Sequence, residues 1–466
     1  MVNFERIGQF DTWPAEFGRD GTLVAPQQIE LLLDAAAQAT DLLVISHGWN
    51  NDTDEASALY RELLGNLSEI WPSGSQADAR KLIVMRVYWP SKRFAEADLI
   101  AGGAASGADV AGLIAGQIDE LLKDYKDVAG AGAGADADAD HPDRIKLHAL
   151  QGLRALLPRL EEDDGAQEDF VRLIRAVLPP SVNDEEEVLQ DNFMASDGSN
   201  LMKKLSRPFR PRALAGGGVT SVGDGPPIDW NSPGGAASLG NFFRGVFNGA
   251  QNLLNLFTYY EMKERAGFVG RFGVVDVLRR IQQRNPSLRL HLCGHSFGGR
   301  LVAAVLAFRD PPTDSAQGIR SVMLLQAAFS HNGFAQKYDG SHDGFFRAAF
   351  DRQRLNGPIV ITYTDRDRAV GLAYPIASRL RQQVASGLGN AEDPYGAIGR
   401  NGALAKFAKA DVDPAVVKLK PVGDPYPPFQ PRRIYNLEGA GFITGHSDVR
   451  GPEVVQALKH ALDASL

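Results

Sequence analysis

"LRLHLCGHSFGGRLVAAVLAF", residues 288–308, decides the fold. Its first part is an apolar run that reads as a strand, and its last part is an Ala/Val/Leu pattern that reads as a helix. Gly294-His295-Ser296-Phe297-Gly298 lies between them. A strand that turns straight into a helix strains its middle residue, and Cβ atoms two positions to either side would meet backbone, so glycine is required there. One reading is a turn that only needs small residues. The other is a serine hydroxyl lifted to the C-terminal end of a strand, where the helix N-terminus adds amide donors and a partial positive charge. Strand before and helix after is the context a G-x-S-x-G nucleophile requires.

Working outward, "DLLVISHG" (41–48), "KLIVMRVYW" (81–89), "SVMLLQAAF" (321–329), "PIVITYTD" (358–365) and "RRIYNLEG" (432–439) read as further strands. Several are apolar on both alternating sets, as in central strands of a parallel sheet covered on both faces. Helical patterns alternate with them at 54–70, 298–308 and 451–464, and Val274, Val277, Leu278 and Ile281 mark one face of a helix that ends at Pro286. This alternation predicts a doubly wound, mostly parallel α/β domain.

Residues 91–260 are too long for one crossover and predict a large, mainly helical inserted cap between core segments 1–90 and 261–466. "LIAGGAASGADVAGLIAGQI" (99–118) reads as a packed helix, and Leu147, Leu150, Leu153, Leu157 and Leu160 recur at helical spacing before a second amphipathic run at 169–180. "AGAGAGADADADHPD" (129–143) reads as a flexible linker, and residues 216–235 as a loop. "NFFRGVFNGAQNLLNLF" (241–257) fits either a helix packed on a core or the apolar wall of a substrate pocket.

Composition excludes some classes. A formal charge of -8 argues against nucleic-acid binding, and the one basic run, "KKLSRPFRPR" at 203–212, reads as a solvated loop. Cys293 is the only cysteine; it falls in a strand pattern as a small buried hydrophobe and forms no intrachain disulfide. The N-terminus has no apolar signal run, and no stretch reaches about 18 apolar residues, so a cytoplasmic protein is expected, with export by a signal-less route left open. Without H-E-x-x-H, a Cys pair or a P-loop, no metal or organic cofactor is implied.

A serine hydroxyl needs a base and an orienting acid. The acid is expected just past "PIVITYT", where Asp367 and Asp365 compete; "DRAV" resembles the turn in which many such enzymes set the acid shortly before a small-apolar pair, which favours Asp367. Among 9 histidines, His446 in "GFITGHSDV" lies past the last strand in a Gly-bearing loop, placed to reach over the sheet edge to Ser296. His295 adjoins the serine but is expected to point away and support packing. Two amides must receive the oxyanion: that of Phe297, and that of Trp49 in "VISHGWNND", with Asn50 as the other choice. His331 and Asn50 are further candidates to line the substrate pocket, a turn or packing role being the plainer one for His331.

These segments resemble the α/β-hydrolase superfamily. His47-Gly48-Trp49 is similar to its oxyanion loop, Gly294 to Gly298 to its nucleophile elbow, and Gly445-His446-Ser447-Asp448 to its histidine loop. The resemblance spans about residues 35–90 and 265–466 and implies an α/β-hydrolase fold with serine-hydrolase chemistry. The expected activity is an esterase or lipase acting on an apolar acyl ester, small molecule or lipid, with membrane-surface contact left open. An amidase or peptidase of the same fold, and a non-catalytic binding protein, are the alternatives. Oligomeric state is not legible.

Overall fold

The computed structural model describes residues 4–49, 51–72, 80–91, 107–131, 142–178, 197–205, 237–311, 317–351, 354–367, 370, 396–404 and 413–464. Within them the strands are β1 (Glu5–Ile7), β2 (Phe10–Glu16), β3 (Asp41–Ser46), β4 (Leu82–Tyr88), β5 (Arg289–His295), β6 (Ile319–Leu325), β7 (Ile359–Tyr363), β8 (Ala415–Lys418) and β9 (Ile434–Glu438). They form a single sheet ordered β1-β2-β4-β3-β5-β6-β7-β9-β8. The β1–β2 pairing is antiparallel and the others are parallel. All six strands expected from the sequence are present, as β3, β4, β5, β6, β7 and β9; β1, β2 and β8 are additional.

Both faces of the sheet are covered, so each strand divides its apolar residues between two cores. Leu42 and Val44 of β3 face one cluster with the helices Pro26–Ala36, Val275–Arg284 and Phe297–Phe308. Leu43 and Ile45 face the other, with Thr53–Ile70 and Pro452–Asp463. This is why the central strands read as continuous apolar runs. Val277, Leu278 and Ile281 are buried on the first face, and their helix stops at Arg284, two residues before Pro286. Cys293 is buried on the second face, its thiol pushed up to about 12 by that burial.

Between β4 and β5, the helices Gly107–Ala131, Pro142–Leu156, Asp164–Val177, Gly198–Leu205 and Ala237–Phe268 enclose a third cluster. Leu150, Leu153, Leu157 and Leu160 of the leucine stripe lie inside it. Phe247, Leu253, Leu254 and Phe257 of the stretch 241–257 do so as well, so those side chains form the core of this helical unit. Two contacts tie the unit to the sheet side: Arg19 pairs with Asp143 at 2.5 Å, and Arg265, paired within the unit to Asp124 at 3.1 Å, donates to the Pro90 carbonyl at 2.7 Å. Of the stretch expected as a linker at 129–143, residues 129–131 end the helix Gly107–Ala131 and 142–143 begin the helix Pro142–Leu156, and of the basic run expected as a loop at 203–212, residues 203–205 end the helix Gly198–Leu205, whose Leu205 is buried in the cluster. The remainder of both, and the loop at 216–235, lie outside the described residues. No described helix is long and apolar enough to cross a membrane.

Because the central strands are parallel, their C-terminal ends share one edge. The loops after β3, β5, β7 and β9 all open there, and the candidate residues lie at those four strand ends, except His331, which follows β6.

Candidate active site

β5 ends at His295 and the next helix begins at Phe297, which leaves Ser296 alone to make the reversal. It does so at φ 56 and ψ −123, a region that costs a non-glycine residue about 1–3 kcal/mol. Neighbouring backbone holds it there. The Ser296 N–H donates to the Leu325 carbonyl at 3.0 Å, and the Ser296 carbonyl accepts from Gly299 at 2.9 Å and Ala328 at 3.0 Å. A Cβ on Gly294 would overlap the Gly298 carbonyl, and one on Gly298 would overlap the carbonyls of Ser46 and His47. The flanking glycines are therefore steric requirements of the turn.

The expected base and acid meet this serine. The Ser296 hydroxyl lies 2.8 Å from His446 Nε2, and His446 Nδ1 lies 2.8 Å from Asp367 Oδ2. The tautomer that satisfies both contacts carries its proton on Nδ1, donating to the carboxylate and leaving Nε2 to accept from the serine. Asp367 is fully buried just past β7, and its other oxygen accepts the Val370 N–H at 3.2 Å. Asp365 is exposed in the same turn, and of the two acids it is Asp367 that meets His446. The loop carrying His446 is closed by Asp448, whose Oδ2 accepts both the N–H and the hydroxyl of Thr444 at 2.9 Å.

The donor loop after β3 is fixed from within. Trp89 N–H donates to His47 Nε2 at 3.3 Å, which leaves Nδ1–H to donate to the Gly48 carbonyl at 2.9 Å. Burial holds His47 neutral by pulling its pKa down to about 4. Asn51 Nδ2 also donates to the Gly48 carbonyl at 3.3 Å and to the Trp49 carbonyl at 3.0 Å. With the Gly48 carbonyl tied down, the N–H of Trp49 on the same trans peptide must point the opposite way. Gly48 itself lies against the serine: a Cβ there would come 2.5 Å from Ser296 Cβ. Among the described residues, neither the Trp49 nor the Phe297 backbone N–H has an acceptor. Asn50, the other donor choice and a pocket candidate, lies outside the described residues.

No family model, curated protein or solved structure matches this chain.

His331 is elsewhere. Its ring accepts from Asn401 at 3.1 Å and its backbone joins Gly396 and Leu404, so it packs segment 396–404 against the loop after β6; burial pulls its pKa down to about 4. None of its hydrogen bonds reaches Ser296, His446 or Asp367. His295 supports packing, as expected, and does so against the histidine loop: its Nε2 lies 2.9 Å from the His446 carbonyl, and the two rings sit 4.8 Å apart. Sequence reasoning also passed over Tyr60, whose hydroxyl donates to the Val87 carbonyl and accepts the His47 N–H at 2.8 Å. Its only sign was its place on the apolar face of helix 53–70.

The same three residue types meet a second time, at the opposite sheet edge. His291 Nδ1 lies 2.8 Å from the Ser321 hydroxyl and its Nε2 3.0 Å from Asp41. That array is closed: Ser321 is 2% exposed and the other two are 0%. Burial opposes ionisation of Asp41. The hydrogen bonds from His291 and Arg289 and the charge of Arg80 outweigh it and hold the carboxyl well below its usual range. Among the described residues no three His, Cys, Asp or Glu side chains are grouped to hold a metal.

Proposed function

We propose that this chain is a serine hydrolase of the α/β-hydrolase kind that cleaves carboxylic esters, with the helical unit between β4 and β5 acting as its cap. The observation that carries the reading is the unbroken chain Ser296–His446–Asp367, with two links of 2.8 Å, on a serine followed by the Phe297 N–H and set against the loop of the Trp49 N–H, neither of which has an acceptor among the described residues. The strand order from β1 to β7 and the placement of acid and base after β7 and β9 support the fold assignment.

The chemistry follows from the proton positions. As Ser296 Oγ attacks the ester carbonyl, its proton passes to His446 Nε2, and Asp367 stabilises the resulting imidazolium without taking its proton. The carbonyl oxygen becomes an oxyanion held by the N–H groups of Phe297 and Trp49. Collapse breaks the bond to the leaving alkoxide, which takes the proton from His446. Water, deprotonated by His446, then attacks the acyl-serine; the tetrahedral species collapses, the proton returns to Ser296 Oγ, and the carboxylic acid leaves.

The aromatic residues beside the serine favour an apolar acyl group. Trp49 is partly exposed and packs edge-on against Phe297 at 5.9 Å, with Tyr259 behind it at 5.3 Å from Phe297.

Labelling with a fluorophosphonate probe tests the proposal: wild type reacts and Ser296→Ala does not. Labelling that persists in Ser296→Ala refutes Ser296 as the nucleophile, and an unreactive wild type favours a non-catalytic binding protein. Parallel rates on p-nitrophenyl esters and p-nitroanilides separate esterase from amidase, since the reading requires the ester to be faster. Rates on phospholipid vesicles compared with soluble esters decide whether a bilayer is the working surface.

A further inference from the structure

His295 is the last residue of β5 and only 6% exposed. Its ring is wedged between two of the four loops at the site. On one side Nε2 lies 2.9 Å from the His446 carbonyl, and the ring packs against that of His446 at 4.8 Å and 42°. On the other side it meets the donor loop, where a Cβ on Gly48 would come 3.2 Å from Nδ1. A carbonyl oxygen can only accept, so the proton sits on Nε2 and Nδ1 is bare; among the described residues no donor reaches it. One imidazole therefore touches the base loop and the donor loop, and is bonded through the chain to the nucleophile.

We propose, on the ester-hydrolase reading above, that His295 is a positioning residue: a neutral imidazole that fixes the backbone and ring of His446 so that Nε2 stays on Ser296. His446 sits in a glycine-bearing loop, and its Asp367 hydrogen bond alone leaves the ring free to swing about the Nδ1 contact. The His295 N–H anchors the carbonyl from which that side chain departs, and the ring contact removes the remaining swing. Neutrality matters because His446 becomes an imidazolium during each turnover. The charged and titratable groups facing His295 are His446 itself, Arg450 and His47. Burial, then the charge on His446, lowers the His295 pKa to about 3, so no second cation forms beside the reacting ring.

The test uses the full chain, with His295→Phe to keep ring volume without the donor and His295→Gln to restore an N–H near the place of Nε2. A positioning role predicts that His295→Phe loses about 10- to 100-fold in kcat with KM changed less than about twofold, and that His295→Gln recovers part of it. Wild-type kcat in His295→Phe overturns the inference. A second readout needs neither activity nor a folded variant: nitrogen-15 histidine spectra of wild type at pH 7. A neutral His295 with a protonated Nε2 is expected, and a protonated Nδ1 or a cation overturns the proposal. An unreactive wild type in the fluorophosphonate assay would refute the hydrolase reading alone, because these spectra still report whether His295 holds the His446 loop.

Discussion

Replacing Gly48 by alanine tests the donor loop at a point where the amide itself cannot be deleted. The new Cβ would start 2.5 Å from Ser296 Cβ and 3.1 Å from the His295 carbonyl oxygen. Carbon atoms sit comfortably at about 3.5–4.0 Å, so the loop has to retreat by roughly 1 Å. The Trp49 N–H moves with it, and an N–H···O contact stretched from about 2.9 Å toward 4 Å is no longer a hydrogen bond. Losing one oxyanion donor lowers kcat about 10²- to 10³-fold, or about 2.7–4 kcal/mol of transition-state stabilisation, with little change in KM. The crowding also costs about 1–3 kcal/mol of stability, since His47 and Asn51 hold the loop from behind. The assay is steady-state hydrolysis of a soluble p-nitrophenyl ester together with thermal unfolding. Gly65→Ala is the control, because a Cβ there, within helix Thr53–Ile70, meets nothing within 4 Å. A folded Gly48→Ala enzyme with kcat within about threefold of wild type would refute the assignment of the Trp49 amide.

Asp367→Asn should lower kcat about 10⁴-fold in the same ester assay, because an amide in place of the carboxylate leaves His446 in the wrong tautomer, whereas Asp365→Asn should change kcat less than about twofold. A larger loss in Asp365→Asn than in Asp367→Asn would reverse the choice of acid. The folded pKa values of His47 (about 4), His295 (about 3) and His331 (about 4) all lie below the usual 6.5. Their contribution to stability is therefore complete above about pH 6.5 and lost as pH falls toward 4, at about 1.4 kcal/mol per pH unit for each ring. By pH 5 the three together cost about 6 kcal/mol, comparable with the whole stability of many domains. Urea midpoints measured at pH 7, 6 and 5 should fall steadily, and a flat series would mean that these rings take up protons in the fold as readily as in the unfolded chain.

The parts of the fold legible in the sequence are those governed by short-range rules. β3 and β5 declare themselves because residues buried on two faces must all be apolar, and the elbow because its glycines answer steric demands within a few positions. The order of Ser296, Asp367 and His446 was legible for a topological reason: parallel strands put all their following loops on one edge. β1, β2 and β8 were missed for equally physical reasons. β1 and β8 are three and four residues long. β2 carries Pro14, yet β1 pairs only as far as Thr12, and beyond that point a missing N–H loses no bond to β1. β6 ends at Leu325, before the expected Phe329, because Gln326 turns to φ 43. The role of His295 could not be read locally, since its partner lies 151 residues away and the turn at Ser296 alone decides that the two rings meet.

The two Ser-His-Asp arrays separate what hydrogen bonding explains from what it does not. Both have links of 2.8–3.0 Å, so the serine–histidine–carboxylate contacts alone cannot mark a site. Their places on a parallel sheet differ in electrostatic sign. Ser296 stands at the C-terminal edge, where helix Phe297–Phe308 begins, and the amides there, without acceptors among the described residues, favour negative charge. Ser321 stands near the starts of the strands, where helices Pro26–Ala36 and Val275–Arg284 end and present carbonyls. An oxyanion formed there would face the negative ends of those helices. Its carboxylate is also committed, since Arg289 binds Asp41 through both oxygens, at 2.9 and 2.7 Å. At that edge the three residues pin strand starts together, whereas at the other edge the same three residue types meet backbone donors that have no acceptor among the described residues, which is what the proposed hydrolysis requires.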